Sequence, residues 1–442
     1  MKLLRRLIFG APIVHKQKQA TLEQVCIPIT AFPVAGGMRS VLSGVAQVMS
    51  DQWQITYLTY CKGKDTQGLT IKTFGSAKTH PWHFPNVWFY SFAGAVKLLS
   101  LLRQNAHYDL ILSQDGVFTG AFAALIGKLA GVRVVCMDHG NMTWLENPAL
   151  RAERARMTQT LPWPEKLLSR VRYACYWASL SLLAAIATKC SDQFLVAGDE
   201  VEEVYRNRFG VQANRIFRYS YMVDTSRFNL LDEDAKAKIR AEQELTNDHI
   251  IITMINRLAP EKGLEIALNG IASALSELPS AIRTRVRVII AGDGPMRSQI
   301  EDYILHDGLE GICMLWGEAT PSDVIKLLAI TDIFLYAGTR GTNYSVAILE
   351  AMAAACAIIA STVPLSNARL LDQGRGIAVK PGDATAISKA LICLCSDLGL
   401  CREMGQRARA YVTNHHNAEV LKRSILRATS FITTIEKPIF MF

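Results

Sequence analysis

Nothing in the sequence has the spacing of a metal site. Its ten cysteines lie mostly in apolar runs, such as Cys136 in VVCM and Cys356 in AACAII, and the close pair Cys393 and Cys395 has no second pair to match it. They read as small buried hydrophobes in a reducing compartment. Arginine-rich helices and basic–aromatic platforms are missing too, which argues against a nucleic-acid partner. No Gly-x-Gly-x-x-Gly with a downstream acid follows the first strand, which argues against a dinucleotide oxidoreductase. Short-period repeats and low-complexity tracts are absent. The start, MKLLRRLIFGAPIVHKQ, is basic, but its apolar core is too short for a secretory leader and no convincing cleavage site follows. A cytoplasmic protein is therefore expected. The uncharged stretch from Tyr173 to Thr188 falls short of the roughly 20 residues that span a bilayer. It reads as a buried helix of the first domain. Because Lys166, Arg170 and Arg172 precede it, peripheral contact with the cytoplasmic face of an anionic membrane is the alternative.

A chain of 442 residues exceeds one ordinary core, so two domains are expected. Half the residues are hydrophobic and the formal net charge is +9, the profile of a globular protein that meets something acidic, such as a phosphorylated ligand. Short apolar runs alternate with helical patterns: YDLILS, VRVVCMDHG, DQFLVAG, HIIITMI, RVRVIIAGDG, GICMLWG, DIFLYAG, CAIIAS and GIAVKPG. Continuous Val/Ile/Leu strands between helices indicate parallel sheets covered on both faces. The rhythm breaks at the polar, charge-dense Arg227 to Asn247. The expected division is an acceptor-side domain over 1–226, a connection over 227–247, a donor-side domain over 248–415 and a C-terminal helix over 416–442 that packs back on the first domain. Ligand is expected in a cleft between the carboxyl ends of the two sheets.

The stretch NRLAPEKG places Arg257 and Lys262 just past the run HIIITMI, where a strand gives way to a loop. Later, YAGTRGTNYSVAILEAMA puts a Gly-rich loop directly before a helix starting near Ser345. First-turn amides of such a helix have no internal partners, and its dipole favours negative charge. An arginine that grips two oxygens, a lysine acting as a point charge and a helix start make a diphosphate site. Glu350, further along that helix, is placed to accept the paired hydroxyls of a ribose. Taken singly, each has a plainer reading: surface charges, a helix-face carboxylate, a tight turn at GDGP. Together they read as a nucleotide site.

At this point the sequence resembles the retaining glycosyltransferases of family 4, whose GT-B fold sets two doubly wound Rossmann-like α/β domains across a cleft. NRLAPEKGLEIALNGIA is similar to the family's Gly-Arg-Leu…Lys-Gly pattern, IIAGDGPMRSQIE to its Gly-x-Gly-Pro turn, AILEAMAAACAIIAS to its Glu-Ala-Met-Ala helix and AVKPGDATAISKAL to its Pro-Gly-Asp segment. The resemblance runs from about Ala31 to Arg409. It implies that Arg257 and Lys262 stabilise a leaving diphosphate, that Glu350 binds the ribose, and that Trp316 and Gly317 lie beside the base. It also implies that backbone amides near Tyr344 and Ser345 hold the distal phosphate, with Thr342 and Asn343 at the donor site beside them. In the first half, FPVAGGMRSV resembles the family's Gly-rich loop, with Gly36 and Gly37 admitting the donor, and CMDHGN its His-Gly segment, with His139 close to the transferred sugar. Several positions depart from the pattern: Thr342 stands where a glutamate holds donor-sugar hydroxyls, Asn256 replaces a glycine, YSYMVDTSRF replaces the usual hinge, and TVPLSNA lacks the usual paired glycines. The run Asp232 to Asp234 reads as solvated surface, and no catalytic metal or cofactor is expected. The implied activity is transfer from a UDP- or GDP-sugar to a hydroxyl of a glycan or lipid-linked acceptor. The alternatives are a nucleotide-sugar epimerase of the same fold, or a non-catalytic relative that binds a glycan or a partner.

Overall fold

The computed structural model describes the chain apart from residues 1–22, 30–36, 60–70, 74–85, 105–106, 146–161, 229–230, 342–343 and 431–442. It divides into two compact units: Met1–Ser220 with Leu421–Phe442, and Tyr221–Val420. The first unit carries β1 (Glu23–Ile29), β2 (Trp53–Thr59), β3 (Ile71–Thr73), β4 (Leu110–Ser113), β5 (Arg133–Asp138), β6 (Gln193–Val196) and β7 (Ile216–Arg218). They form one parallel sheet in the order β3-β2-β1-β4-β5-β6-β7. Every residue of β4 and β6 is buried, as expected of runs covered by helices on both faces. The last helix, Ala418–Ser430, joins this unit through its later turns: Lys422 pairs with Asp51 at 2.6 Å, and Arg133 donates to the Thr429 carbonyl.

The second unit carries β8 (Ile250–Ile255), β9 (Val286–Ala291), β10 (Cys313–Gly317), β11 (Ile333–Tyr336), β12 (Ala357–Ser361) and β13 (Ile377–Val379). These are again all parallel, in the order β10-β9-β8-β11-β12-β13. Leu268, Ile271, Ile290, Leu335 and Ile359 belong to the core between this sheet and its helices. Two sheets wound in both directions from their first strands make the doubly wound α/β architecture expected from sequence.

Two features differ from the sequence reading. Residues 227–247 are not simply a connection: they hold helix Glu233–Glu242, tied into the second unit by buried Arg240, which donates to the Ile330 carbonyl and pairs with Asp332 at 3.2 Å. A guanidinium with this many acceptors tolerates burial that composition alone would not suggest. Asp232 to Asp234 are exposed, as expected of a solvated run, and Asp232 caps that helix by accepting from the Ala235 amide at 2.8 Å. The segment Tyr173 to Thr188 lies within the long helix Trp163–Cys190, and only part of it is covered: Leu180, Leu183, Ala184 and Ala187 are buried, whereas Cys175 and Leu182 are exposed.

Candidate functional site

The strand order of the second sheet reverses between β8 and β11. Loops leaving the carboxyl ends of two such strands turn to opposite faces, and that point is where open parallel sheets bind ligands. The loop after β8 is NRLAPEKG, closed by a short 3-10 turn over Pro260–Lys262. The loop after β11 leads to helix Val346–Ala353. The two loops touch, because the Thr339 amide donates to the Glu261 carbonyl at 2.9 Å. Gly263 makes the close approach possible: its φ is +62°, and a Cβ there would collide with the Ala337 carbonyl. The GDGP turn braces the other side, with the Leu258 amide donating to Asp293 O and the Met296 amide to Leu258 O, both at 3.0 Å. A Cβ on Gly292 would strike the Asn256 carbonyl. The glycines of this turn thus shape the loop that carries Arg257.

Arg257 reaches out of this frame, its side chain 64% exposed, and pairs with Glu261 at 2.5 Å. Burial pushes the Glu261 carboxyl up, but its own backbone amide and Arg257 outweigh that and hold it below the ordinary range. Lys262 is half-buried, its ammonium 5.7 Å from the centre of the Tyr336 ring. Burial lowers its pKa and Arg257 adds to that, with Glu261 opposing. Two cations beside one carboxylate, with Lys262 desolvated, leave a net positive site that an oxyanion would relieve.

Helix Val346–Ala353 starts at Ser345, which makes no side-chain capping bond, so the first-turn amides are not claimed by a cap. The Ser345 amide itself makes a long contact of 3.5 Å to Asn367 Oδ1. Tyr344 packs edge-on against Tyr221 and His416, with ring centres at 6.4 and 5.8 Å. One turn into the helix, burial raises the Glu350 carboxyl to about 7, the Arg227 cation offsetting part of the effect. No described residue hydrogen-bonds its carboxylate. Trp316 and Gly317 end β10 on the same carboxyl edge, where the Gly317 carbonyl accepts from the Gly292 amide at 2.7 Å. Trp316 packs partly buried on Ile251 and its neighbours. Thr342 and Asn343 lie outside the described residues.

In the first unit, His139 follows β5 and is buried. Its Nε2 meets Gln114 Oε1 at 2.9 Å and its Nδ1 meets the Tyr219 hydroxyl at 2.8 Å. An amide oxygen only accepts, so Nε2 carries the proton and Tyr219 donates to Nδ1. Burial pushes the imidazole down to about 4, so it is neutral at pH 7. The ring is held at both nitrogens, which suits a fixed contact better than a proton carrier. Gly37 opens helix Gly37–Met49, and Gly36 lies outside the described residues.

The sequence reading missed Tyr336 under Lys262, Glu261 on Arg257, Arg227 near Glu350, and the Gln114 and Tyr219 clamps of His139. Tyr336 and Gln114 carried a signal, since each stands where an apolar strand run ends. Among the described residues, no group of three His, Cys, Asp or Glu side chains is arranged to hold a metal ion.

Residues 35–227 match Glycosyltransferase Family 4 and residues 235–411 match Glycosyl transferases group 1, which together take in most of the chain. Over 295 residues the chain is 25% identical to an alpha-D-kanosaminyltransferase of Streptomyces kanamyceticus, covering 66% of this chain and 69% of that protein. It is 27% identical over 205 residues to a GDP-mannose-dependent monoacylated alpha-(1-6)-phosphatidylinositol monomannoside mannosyltransferase of Corynebacterium glutamicum. That match covers 45% of this chain and about half, 52%, of the relative. Among solved structures, Anabaena HepE in complex with UDP and glucose superposes with a TM-score of 0.71 at 15% identity, over 93% of this chain and 99% of that one. A likeness at that identity speaks for the GT-B fold alone.

Proposed function

Because this chain belongs to the glycosyltransferases of family 4, we propose that it moves a glycosyl group from a UDP- or GDP-sugar to a hydroxyl acceptor, with retention at the anomeric carbon. The acceptor class is a glycan or lipid-linked glycan of polysaccharide, lipopolysaccharide or glycolipid synthesis. The observation that carries the reading is the meeting of the β8 and β11 loops at the reversal of the sheet. There Arg257 and Lys262 stand on one loop, and the other leads into the open helix start that precedes Glu350. The relatives' names support it, one being a GDP-mannose-dependent enzyme and one solved neighbour holding UDP and glucose.

In this mechanism, charge builds on the diphosphate as the anomeric carbon becomes oxocarbenium-like. Arg257, Lys262 and the first-turn amides of helix Val346–Ala353 stabilise that charge more in the transition state than in the ground state, each by about 3 kcal/mol. Glu350 accepts the ribose hydroxyls, and the base lies by Trp316 and Gly317. The acceptor attacks on the face the leaving group vacates and passes its proton to a diphosphate oxygen, so no carboxylate nucleophile or metal is required. His139, neutral and clamped, serves as a fixed contact of the transferred sugar.

A thermal-shift screen of nucleoside diphosphates and their sugars tests the binding half, since a ligand raises the apparent stability of the state it binds. Incubating the selected donor without acceptor separates transfer from epimerisation, which needs the donor alone. Binding without turnover on any acceptor would favour a non-catalytic relative, the reading that Thr342 in place of the family glutamate supports.

A further inference from the structure

The helix Trp163–Cys190 has two faces of different fate. On one, Leu180, Leu183, Ala184 and Ala187 are buried against the first unit's core, with Tyr176 and Trp177 packed partly over it. On the other, Trp163 is 75% exposed, Leu182 63%, and Leu167, Leu168 and Val171 are each at least half exposed. At 100° per residue, these five side chains fall within an arc of about 140° and run about 29 Å along the helix. The positions between them on that arc, Ala174, Cys175 and Ala178, are small, apolar and exposed as well. Such a continuous uncovered stripe is uncommon on a globular surface and marks an interaction face.

The charges beside the stripe say what covers it. Arg172 borders it on one side, and Arg170 and Lys166 on the other; Glu165 is the only acid from Trp163 to Leu182. Pairing two copies in parallel through this face sets Arg172 against Arg170 and Lys166 along both margins, and antiparallel pairing over the whole stripe brings the two copies of Arg172 together. An anionic bilayer surface satisfies both parts of the pattern: the stripe enters the acyl boundary and the arginines meet phosphate. No single helix among the described residues is long and apolar enough to cross a membrane. We propose that helix Trp163–Cys190 lies in the plane of an anionic membrane surface, with Trp163, Leu167, Leu168, Val171 and Leu182 inserted and Arg170 and Arg172 on the headgroups.

The test is co-sedimentation of the full chain with vesicles of phosphatidylcholine mixed with phosphatidylglycerol, against phosphatidylcholine alone. The chain is expected to bind the mixed vesicles about tenfold or more tightly and to be released by high salt. The double variant Leu167→Glu/Val171→Glu is expected to lose about tenfold or more of that binding while keeping its unfolding midpoint and its nucleotide affinity. Absence of binding to either vesicle, equal binding by the variant, or a wild-type dimer that the variant turns into a monomer without any vesicle binding would overturn the proposal. Should the variant misfold, brominated lipids decide on the wild-type fold: quenching that Trp163→Phe removes supports insertion, and quenching it leaves unchanged refutes it. None of these readouts depends on the donor site.

Discussion

Replacing Glu350 with glutamine separates the stability of this fold from its proposed use. Burial lifts the carboxyl from 4.5 to about 7, with Arg227 opposing. That difference corresponds to at most about 3 kcal/mol of penalty on the charged form, and water reaching the half-buried side chain reduces it. The sign follows from proton counts. Between 4.5 and about 7 the folded chain keeps a proton that the unfolded chain has lost, so stability falls as pH rises through that window. The full penalty is present above pH 7. Glu350→Gln removes it, so the variant should melt a few degrees above the wild type at about pH 8 and level with it near pH 4.5. Burial also pushes His139 and His416 down to about 4, which destabilises both proteins as pH falls below 6.5. The quantity to follow is therefore the difference between variant and wild type. Donor binding should move the other way. The two charge-assisted hydrogen bonds proposed between Glu350 and the ribose would be lost, which weakens nucleotide affinity by about tenfold to a hundredfold. Wild-type affinity should rise with pH through about 7, because the hydroxyls bind the carboxylate, and the variant should show no such rise. Calorimetric melts and titrations over this range test both halves. A variant that melts lower at pH 8 would contradict the burial of a charged Glu350, and one that binds nucleotide as tightly as the wild type would contradict its place on the ribose.

Arg257→Ala and Lys262→Ala should each lower turnover by about two orders of magnitude, with little change in melting for the exposed Arg257, as steady-state kinetics beside a melt would show. Gly263→Ala puts a side chain at φ +62° against the Ala337 carbonyl; it should destabilise the second unit by roughly 2 kcal/mol or more and weaken nucleotide binding with it. The imidazole of His139, clamped by Gln114 and Tyr219, should stay neutral down to about pH 5 in an NMR titration, and a ring titrating near 6.5 would contradict the clamp.

The sheets were legible because their strands are unbroken apolar runs: HIIITMI became β8 and DIFLYAG became β11. The loops of the candidate site were legible for a related reason, since an arginine or a glycine just after such a run must stand at the carboxyl end of a strand. What local pattern does not carry is which strand ends are neighbours. The contact between Glu261 and Thr339, and the clamping of His139 by residues that follow β4 and β7, depend on strand order. Arg240 was illegible as a buried residue because its acceptors, such as the Ile330 carbonyl, are remote in sequence. In the helix Trp163–Cys190, an uncharged run suggested burial all round. Only the fold shows that part of it is uncovered, since an apolar side chain does not report which face the rest of the unit covers.

In the proposed function, Arg257, Lys262 and the start of helix Val346–Ala353 recognise a diphosphate. The direct measurement is a calorimetric comparison of the nucleoside diphosphate chosen by the screen with its monophosphate, on the wild type and on Arg257→Ala/Lys262→Ala. The wild type should bind the diphosphate about tenfold or more tightly, and the double variant should bind the two nearly alike. A double variant that keeps the full preference for the diphosphate would show that these cations do not hold it.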